Sequence, residues 1–271
     1  MFFLHKKMKI LSCFILISLS SHIVTAQNSL ITDRPDQTES PNAVAIGVIQ
    51  IESGFQFQRS DLSKTKSEEQ IAHPSNLIRY GIANRLELRL VTEYMSNTVY
   101  DKKSNEKKIQ NTGMENIEFG FKYQFSQDQS RTILGFMTHL DIPIKNKKTN
   151  YQQYGLVSRL NISHQLSEKQ CVGANIGYNN FSYIVNGSEV FSKNVGDLTY
   201  TLVYGQAISN RVGVYIETFG EYINFKTWEQ NVDLGMTYLI NDNLQLDYSF
   251  GLGINQVMNY HSLGVSFRLN N

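Results

Sequence analysis

From about residue 44 to its end, the chain switches between apolar and polar residues at nearly every position, in about twelve segments separated by polar breaks. Side chains at i and i+2 lie on one face of a strand, so this period marks strands with one greasy and one wet face. In the first segment Ile49, Ile51, Phe55 and Phe57 share a face, and Gln50, Glu52, Gln56 and Gln58 share the other. A later segment sets Ile117, Phe119, Phe121, Tyr123 and Phe125 against Glu118, Lys122 and Gln124. Near the end, Leu244, Leu246, Tyr248, Phe250 and Leu252 oppose Gln245, Asp247 and Ser249, and Leu263, Val265, Phe267 and Leu269 oppose Ser262, Ser266 and Arg268. Noisier stretches of the same period fall near 76–82, 86–95, 132–143, 152–163, 171–180, 197–206, 211–222 and 231–240.

The breaks come in two kinds, and the kinds alternate. Short polar turns fall at Asn84-Arg85, Ser126 to Ser130, Ser167 to Lys169, Ser209-Asn210 and Asn241 to Asn243. Longer polar stretches fall at about 59–74, 96–114, 145–150, 182–195, 224–229 and 254–259. An outer-membrane barrel has this arrangement, with short periplasmic turns, longer outer loops and an even strand count that leaves both termini in the periplasm. The expected fold is therefore all-β: an antiparallel transmembrane β-barrel of about twelve strands. Ten is the alternative if a weak pair is misread.

A soluble barrel would put the greasy face inside, and periodicity does not separate the two cases. Three features favour lipid outside. About twelve strands enclose a lumen wider than the side-chain-filled barrel of eight. Aromatics recur near strand ends, among them Phe57, Tyr94, Tyr123, Phe125, Tyr178, Tyr204 and Tyr238, where membrane barrels carry their girdles. The final segment, Gly264 to Leu269, resembles the C-terminal strand read by the barrel-assembly machinery, although Asn270-Asn271 follows it. Energetics then fix the inner face. It holds Glu52, Arg79, Glu87, Arg89, Glu93, Glu118, Lys122, Asp141, Arg159, Glu217, Asp233, Asp247 and Arg268. A basic residue at the lipid midplane costs about 2–4 kcal/mol, and several such penalties exceed the ~5–15 kcal/mol that separates folded from unfolded.

The chain before the barrel reads differently. Lys6, Lys7 and Lys9, an apolar run from Ile10 to Leu19, and Val24-Thr25-Ala26 form a secretory signal over 1–26, with cleavage expected near Ala26. Residues 27–43 form an extended periplasmic arm or plug, since Pro35 and Pro41 bias the chain away from helix; 44–271 is the barrel. Removing 1–26 takes three lysines and no acids, leaving 22 basic against 24 acidic residues. No basic excess points to nucleic acid. Cys171 is then the sole cysteine, which excludes an intrachain disulfide and a cysteine metal cluster. No cofactor and no metal site is expected.

Candidate chemistry lies on the wet face. Glu52, Arg79, Glu87, Arg89, Glu93, Glu118 and Lys122 are the candidates for lining a path; they either hold the barrel's shape as a charge network or set its selectivity, with a weak preference for cations. Asp33-Arg34-Pro35-Asp36 is a turn in a mobile arm or, folded into the lumen, a plug whose Asp33, Arg34 and Asp36 engage strand charges. Ile31 to Pro41, then Gln50 to Phe55, Leu77 to Gly81 and Glu87 to Leu90, resembles the MetA-pathway phenol-degradation family of outer-membrane transporters of Bacteroidetes-type bacteria. The resemblance is most specific over 31–93. It implies an outer-membrane transporter or channel of a Gram-negative bacterium, and the family name suggests aromatic substrates.

The function expected is passage of small solutes, including aromatic or hydrophobic compounds, by passive diffusion. Expected partners are outer-membrane lipid, the barrel-assembly machinery and a small-molecule solute. The main alternative is a closed barrel with a structural or surface role. No enzyme is expected: H-E-x-x-H, G-x-S-x-G and phosphate-loop motifs are missing from the sequence. A lipid hydrolase built on His73 and Ser75 is the minor alternative. His139 and Asp141 share a face, but that face points into the lumen, away from lipid esters. The loop 101–108 reads as solvated, or as a lysine contact for anionic lipopolysaccharide, and Trp228 as an interface anchor.

Overall fold

The computed structural model describes residues 30–115, 117–144, 151–185 and 195–269. The expected signal segment, the first residues of the arm and the stretches 145–150 and 186–194 lie outside the described residues. Thirteen strand segments follow in order: β1 Ile49–Asp61, β2 Lys66–Ala83, β3 Leu86–Asp101, β4 Lys107–Met114, β5 Ile117–Gln124, β6 Thr132–Ile142 and β7 Tyr151–Ser167. Then come β8 Gln170–Val185, β9 Val195–Ala207, β10 Val212–Ile223, β11 Thr227–Asn241, β12 Leu244–Gly253 and β13 Met258–Leu269.

All named strands pair antiparallel with their neighbours, and β1 pairs with both β2 and β13, so the sheet closes on itself. Segments β4 and β5 both pair with β3, at Tyr94↔Met114 and Val91↔Glu118, and are two halves of one staff. The barrel is therefore twelve-stranded and antiparallel. Among the described residues there is no helix.

The faces are sorted as a lipid-spanning barrel requires. Glu87 and Lys122 are 0 % exposed, while Phe55 is 60 % and Leu202 53 % exposed. Buried polar side chains and exposed aliphatic ones are the reverse of a water-soluble core. Aromatics collect at both ends of the outer face. Tyr200 stacks on Trp228 at 5.1 Å beside the β10–β11 connection, and Tyr123 meets Phe125 edge-on at 5.4 Å beside the β5–β6 turn. The short turn Asn84-Arg85 joins β2 to β3, with Arg85 at φ 63°, as tight hairpins require.

Two expected long loops turn out to be strand. The stretch 59–74 contains the tip of β1 and half of β2, and 96–114 contains the tip of β3 and all of β4. Both faces there are polar, so the alternation is invisible. Above the lipid no face needs to be apolar, and cross-strand polar pairs such as Arg59–Glu69 and Gln58–Gln70 join the hairpins instead.

This orientation makes a prediction about cost by height. Leu202→Arg, in the middle of β9, should destabilise the barrel by about 2–4 kcal/mol, while Ile109→Arg on β4 should cost under about 1 kcal/mol. Urea unfolding in lipid vesicles measures both; equal costs would refute the placement of the lipid belt.

Candidate functional site in the lumen

Register brings three cations together on one side of the lumen. Arg79 of β2 and Arg89 of β3 are direct partners, and Lys122 of β5 is the partner of Glu87 on β3. The wall supplies two carboxylates among them. Arg79 donates Nε–H to Glu87 at 2.9 Å and Nη1–H to Glu52 at 3.1 Å, and Arg89 donates Nη1–H to Glu87 at 2.9 Å. Three cations against two anions leave one charge unmatched.

The arm supplies the missing charge. Asp33 accepts from Arg89 Nη1 at 2.6 Å and Lys122 Nζ at 2.8 Å, and lies 3.7 Å from Arg79 Nη1. Glu52 in turn accepts the backbone N–H groups of Asp33 at 2.8 Å and Arg34 at 3.0 Å. Burial alone would raise the Asp33 carboxyl, but Arg79, Lys122 and Arg89 outweigh it and hold it well below the ordinary carboxylate range. A depressed carboxyl contributes its stability fully above its unfolded pKa and loses it as pH falls through the folded value, so this anchor persists through mild acid.

Arg34 reaches round to the neighbouring strands β12 and β13. It donates Nη2–H to Asp247 at 3.0 Å and to Ser262 at 2.9 Å. Its guanidinium lies over Gly54 and Gly264, which face each other across β1 and β13; a Cβ at either would run into it. Further along, Glu39 binds Arg89 at 3.0 Å and Arg159 at 3.1 Å. The N–H of Glu39 donates to Asn175 at 2.7 Å, that of Ala43 to Gln124 at 3.0 Å and that of Val44 to Glu87 at 2.8 Å. The arm thus crosses the lumen, bonded to the inner faces of strands all round the barrel.

Between these anchors the arm is held differently. Thr38 meets Thr201 at 2.6 Å and donates to Glu217, and the N–H of Gln37 donates to Glu217 at 2.7 Å. Glu217 and Asp233 are direct partners on β10 and β11, and Tyr260 donates to Asp233. Asp36 adds a third acid, its carboxyl pushed up by desolvation and then by Glu217. Two cavities flank the arm. The outer one, about 510 Å³, includes Glu118, His139, Asp141 and Arg159 in its lining; the periplasmic one, about 320 Å³, is lined in part by Arg34, Asp36, Cys171 and Tyr215.

Of the sequence candidates, Glu52, Arg79, Glu87, Arg89, Lys122 and Asp33 form one cluster. Glu118 stands apart on His139 Nδ1 at 2.9 Å, and Glu93 lies near Glu115 and Glu118 rather than in the cluster. Arg34 finds Asp247, whereas Asp36 faces other acids. His73 does not meet Ser75: its Nε2 lies 2.8 Å from Ser96 Oγ, and Ser75 bonds Glu93. Thr38, Glu39, Asn161 and Asn175 were missed as site residues, although Thr38 and Glu39 lay inside the 31–41 motif.

Residues 32–269 match the family described as "Putative MetA-pathway of phenol degradation". The chain belongs to this family. No curated protein sequence matches it. An outer membrane channel (COG4313) from Pseudomonas putida F1 has the same fold, with a TM-score of 0.62 at 13 % identity over 84 % of this chain and 97 % of that one. The translocator domain of the autotransporter NalP from Neisseria meningitidis gives a TM-score of 0.50 at 8 % identity over 83 % and 90 %.

The arm's dependence on Asp33 is testable. Asp33→Asn keeps the shape and removes the charge, leaving Arg89 and Lys122 short of a counter-ion; breaking a buried pair in this way costs about 3–5 kcal/mol. Hydrogen exchange at the Arg34, Gln37, Glu39 and Val44 amides should accelerate by at least about 100-fold while the strand amides stay protected. Unchanged arm protection would show that the cluster does not hold the arm.

Proposed function

We propose that this family member is a passive outer-membrane channel for small solutes, with the arm as its internal plug. The observation that carries this reading is a pair of cavities to both of which the arm contributes lining, through Glu39 in the outer one and through Thr32, Arg34, Pro35 and Asp36 in the periplasmic one. The partition at Thr38 consists of hydroxyl, carboxylate and amide contacts that water can replace. Glu52, Arg79, Glu87, Arg89 and Lys122 hold the arm at Asp33, and Asp247 and Ser262 on the neighbouring strands hold Arg34. Glu93 and Glu118 belong to the outer approach. The family's description suggests aromatic solutes, and diffusion through the lumen is the mode of passage. Export by the signal 1–26, with cleavage near Ala26, insertion by the barrel-assembly machinery acting on Gly264 to Leu269, and seating in outer-membrane lipid complete the proposal.

A specific observation favours the rival reading of a closed barrel: the Asp33 cluster is fully buried and saturated with partners. A reversible lock separates the two. In a Cys171→Ser background, Thr38→Cys with Thr201→Cys places two thiols where hydroxyls now touch. Oxidised protein in planar bilayers should be silent, and reductant should restore discrete conductance steps. Arg34→Ala should raise the open fraction without loss of the heat-dependent gel shift of folded barrels. Equal conductance in both redox states refutes the plug; silence in every folded state supports the closed barrel.

A further inference from the structure

We propose that the outer cavity is a binding site for a small organic cation, a protonated amine on a compact aliphatic body. The inference rests on the channel reading only for how the solute is delivered. The cavity, about 510 Å³, is within the usual range for small-molecule sites. Its lining combines an aliphatic surface, Val91, Met137 and Val157, with acceptor groups from Glu39, Glu115, Glu118, Asp141 and Asn179.

The positive groups in this lining are already committed. Arg159 is bound to Glu39 at 3.1 Å, and Glu39 also takes Arg89 at 3.0 Å. His139 accepts the Arg89 Nε–H on Nε2 at 2.9 Å, so that nitrogen presents a lone pair. Nδ1–H then donates to Glu118 at 2.9 Å, and the ring is neutral. Glu118 is thus held in place by a neutral donor rather than matched by a cation. Among the described residues, Glu115 has no cationic partner either.

A second feature points to a ligand that donates hydrogen bonds. Asn179 lines the cavity at 8 % exposure, and its Oδ1 has no hydrogen-bond partner. A buried acceptor without a donor costs free energy that an incoming N–H group recovers. An ammonium brings three donors and one positive charge, which matches both the Asn179 carbonyl and the Glu115 and Glu118 carboxylates. A carboxylate solute would meet repulsion, and a neutral alcohol would satisfy one acceptor at most.

The test uses one body with three head groups: cyclohexylmethylammonium, cyclohexylmethanol and cyclohexanecarboxylate. Each is titrated calorimetrically into full-length folded protein in detergent. The ammonium should bind saturably at one site, at least about tenfold tighter than the alcohol, with no heat from the carboxylate. Glu118→Gln and Glu115→Gln should each weaken the ammonium about fivefold or more, while Glu168→Gln in the periplasmic cavity should leave it unchanged. Equal affinity for the three solutes, or ammonium binding untouched by both cavity substitutions, overturns the proposal. Liposome swelling reports passage separately. Binding without passage keeps this site and removes the channel reading; passage with no preference for the ammonium in either assay does the reverse.

Discussion

Arg79, Arg89 and Lys122 are buried side by side in a wall whose outer face must be apolar. Desolvating three cations in one place is tolerable only if carboxylates match them at hydrogen-bond distance. The wall provides Glu52 and Glu87, and the remaining charge comes from Asp33, before the first strand. The barrel wall is therefore electrostatically incomplete without its arm. The dependence is mutual: the arm is an extended, mostly polar segment, and strand carboxylates and amides accept its N–H groups along its path.

Room for the arm is built into the strands. The facing pair Gly54 and Gly264 leaves a gap that the Arg34 guanidinium fills, and Gly81 lets the Val44 and Ala45 carbonyls come closer than any side chain would allow. These glycines weaken their strands locally, a cost of roughly 0.5–1 kcal/mol each relative to alanine. At Gly54 and Gly264 the Arg34–Asp247 pair they admit offsets it. Charge matching and steric relief act on the same few positions, which is why the arm has one path across the lumen.

The wall was largely legible in the sequence and the interior only partly. Period-two alternation reported the faces correctly at Gln50 and Glu52, at Glu118 and Lys122 and at Gln245 and Asp247, because lipid imposes an apolar demand on every second residue. That demand stops above the membrane, so the strand content of 59–74 and 96–114 left no period to read. The break between Met114 and Ile117 was hidden for the same reason. Pairings inside the lumen were a different problem. Arg34 and Asp247 are 213 positions apart, and only the closed register of β12, β13 and β1 sets them face to face. Asp33 was identifiable as a plug candidate from its motif, but its three cationic partners were not.

The flanks of the arm and its middle are held by opposite electrostatics, and this bears on how a passage would form. At Asp33 and Arg34 each charge has an opposite charge in contact, so water entering there must separate ion pairs. From Asp36 to Thr38 the surroundings are acidic: Glu217 and Asp233 oppose each other across two strands, and Asp36 lies beside them. Hydroxyls and backbone N–H groups hold that stretch, and water reproduces such bonds at little cost. Opening should therefore begin on the β9–β11 side and leave the β1–β3 side anchored. A hinged partition of this kind connects the two cavities without exposing the Arg79, Arg89 and Lys122 cluster, and so without undoing the charge matching that keeps the barrel folded.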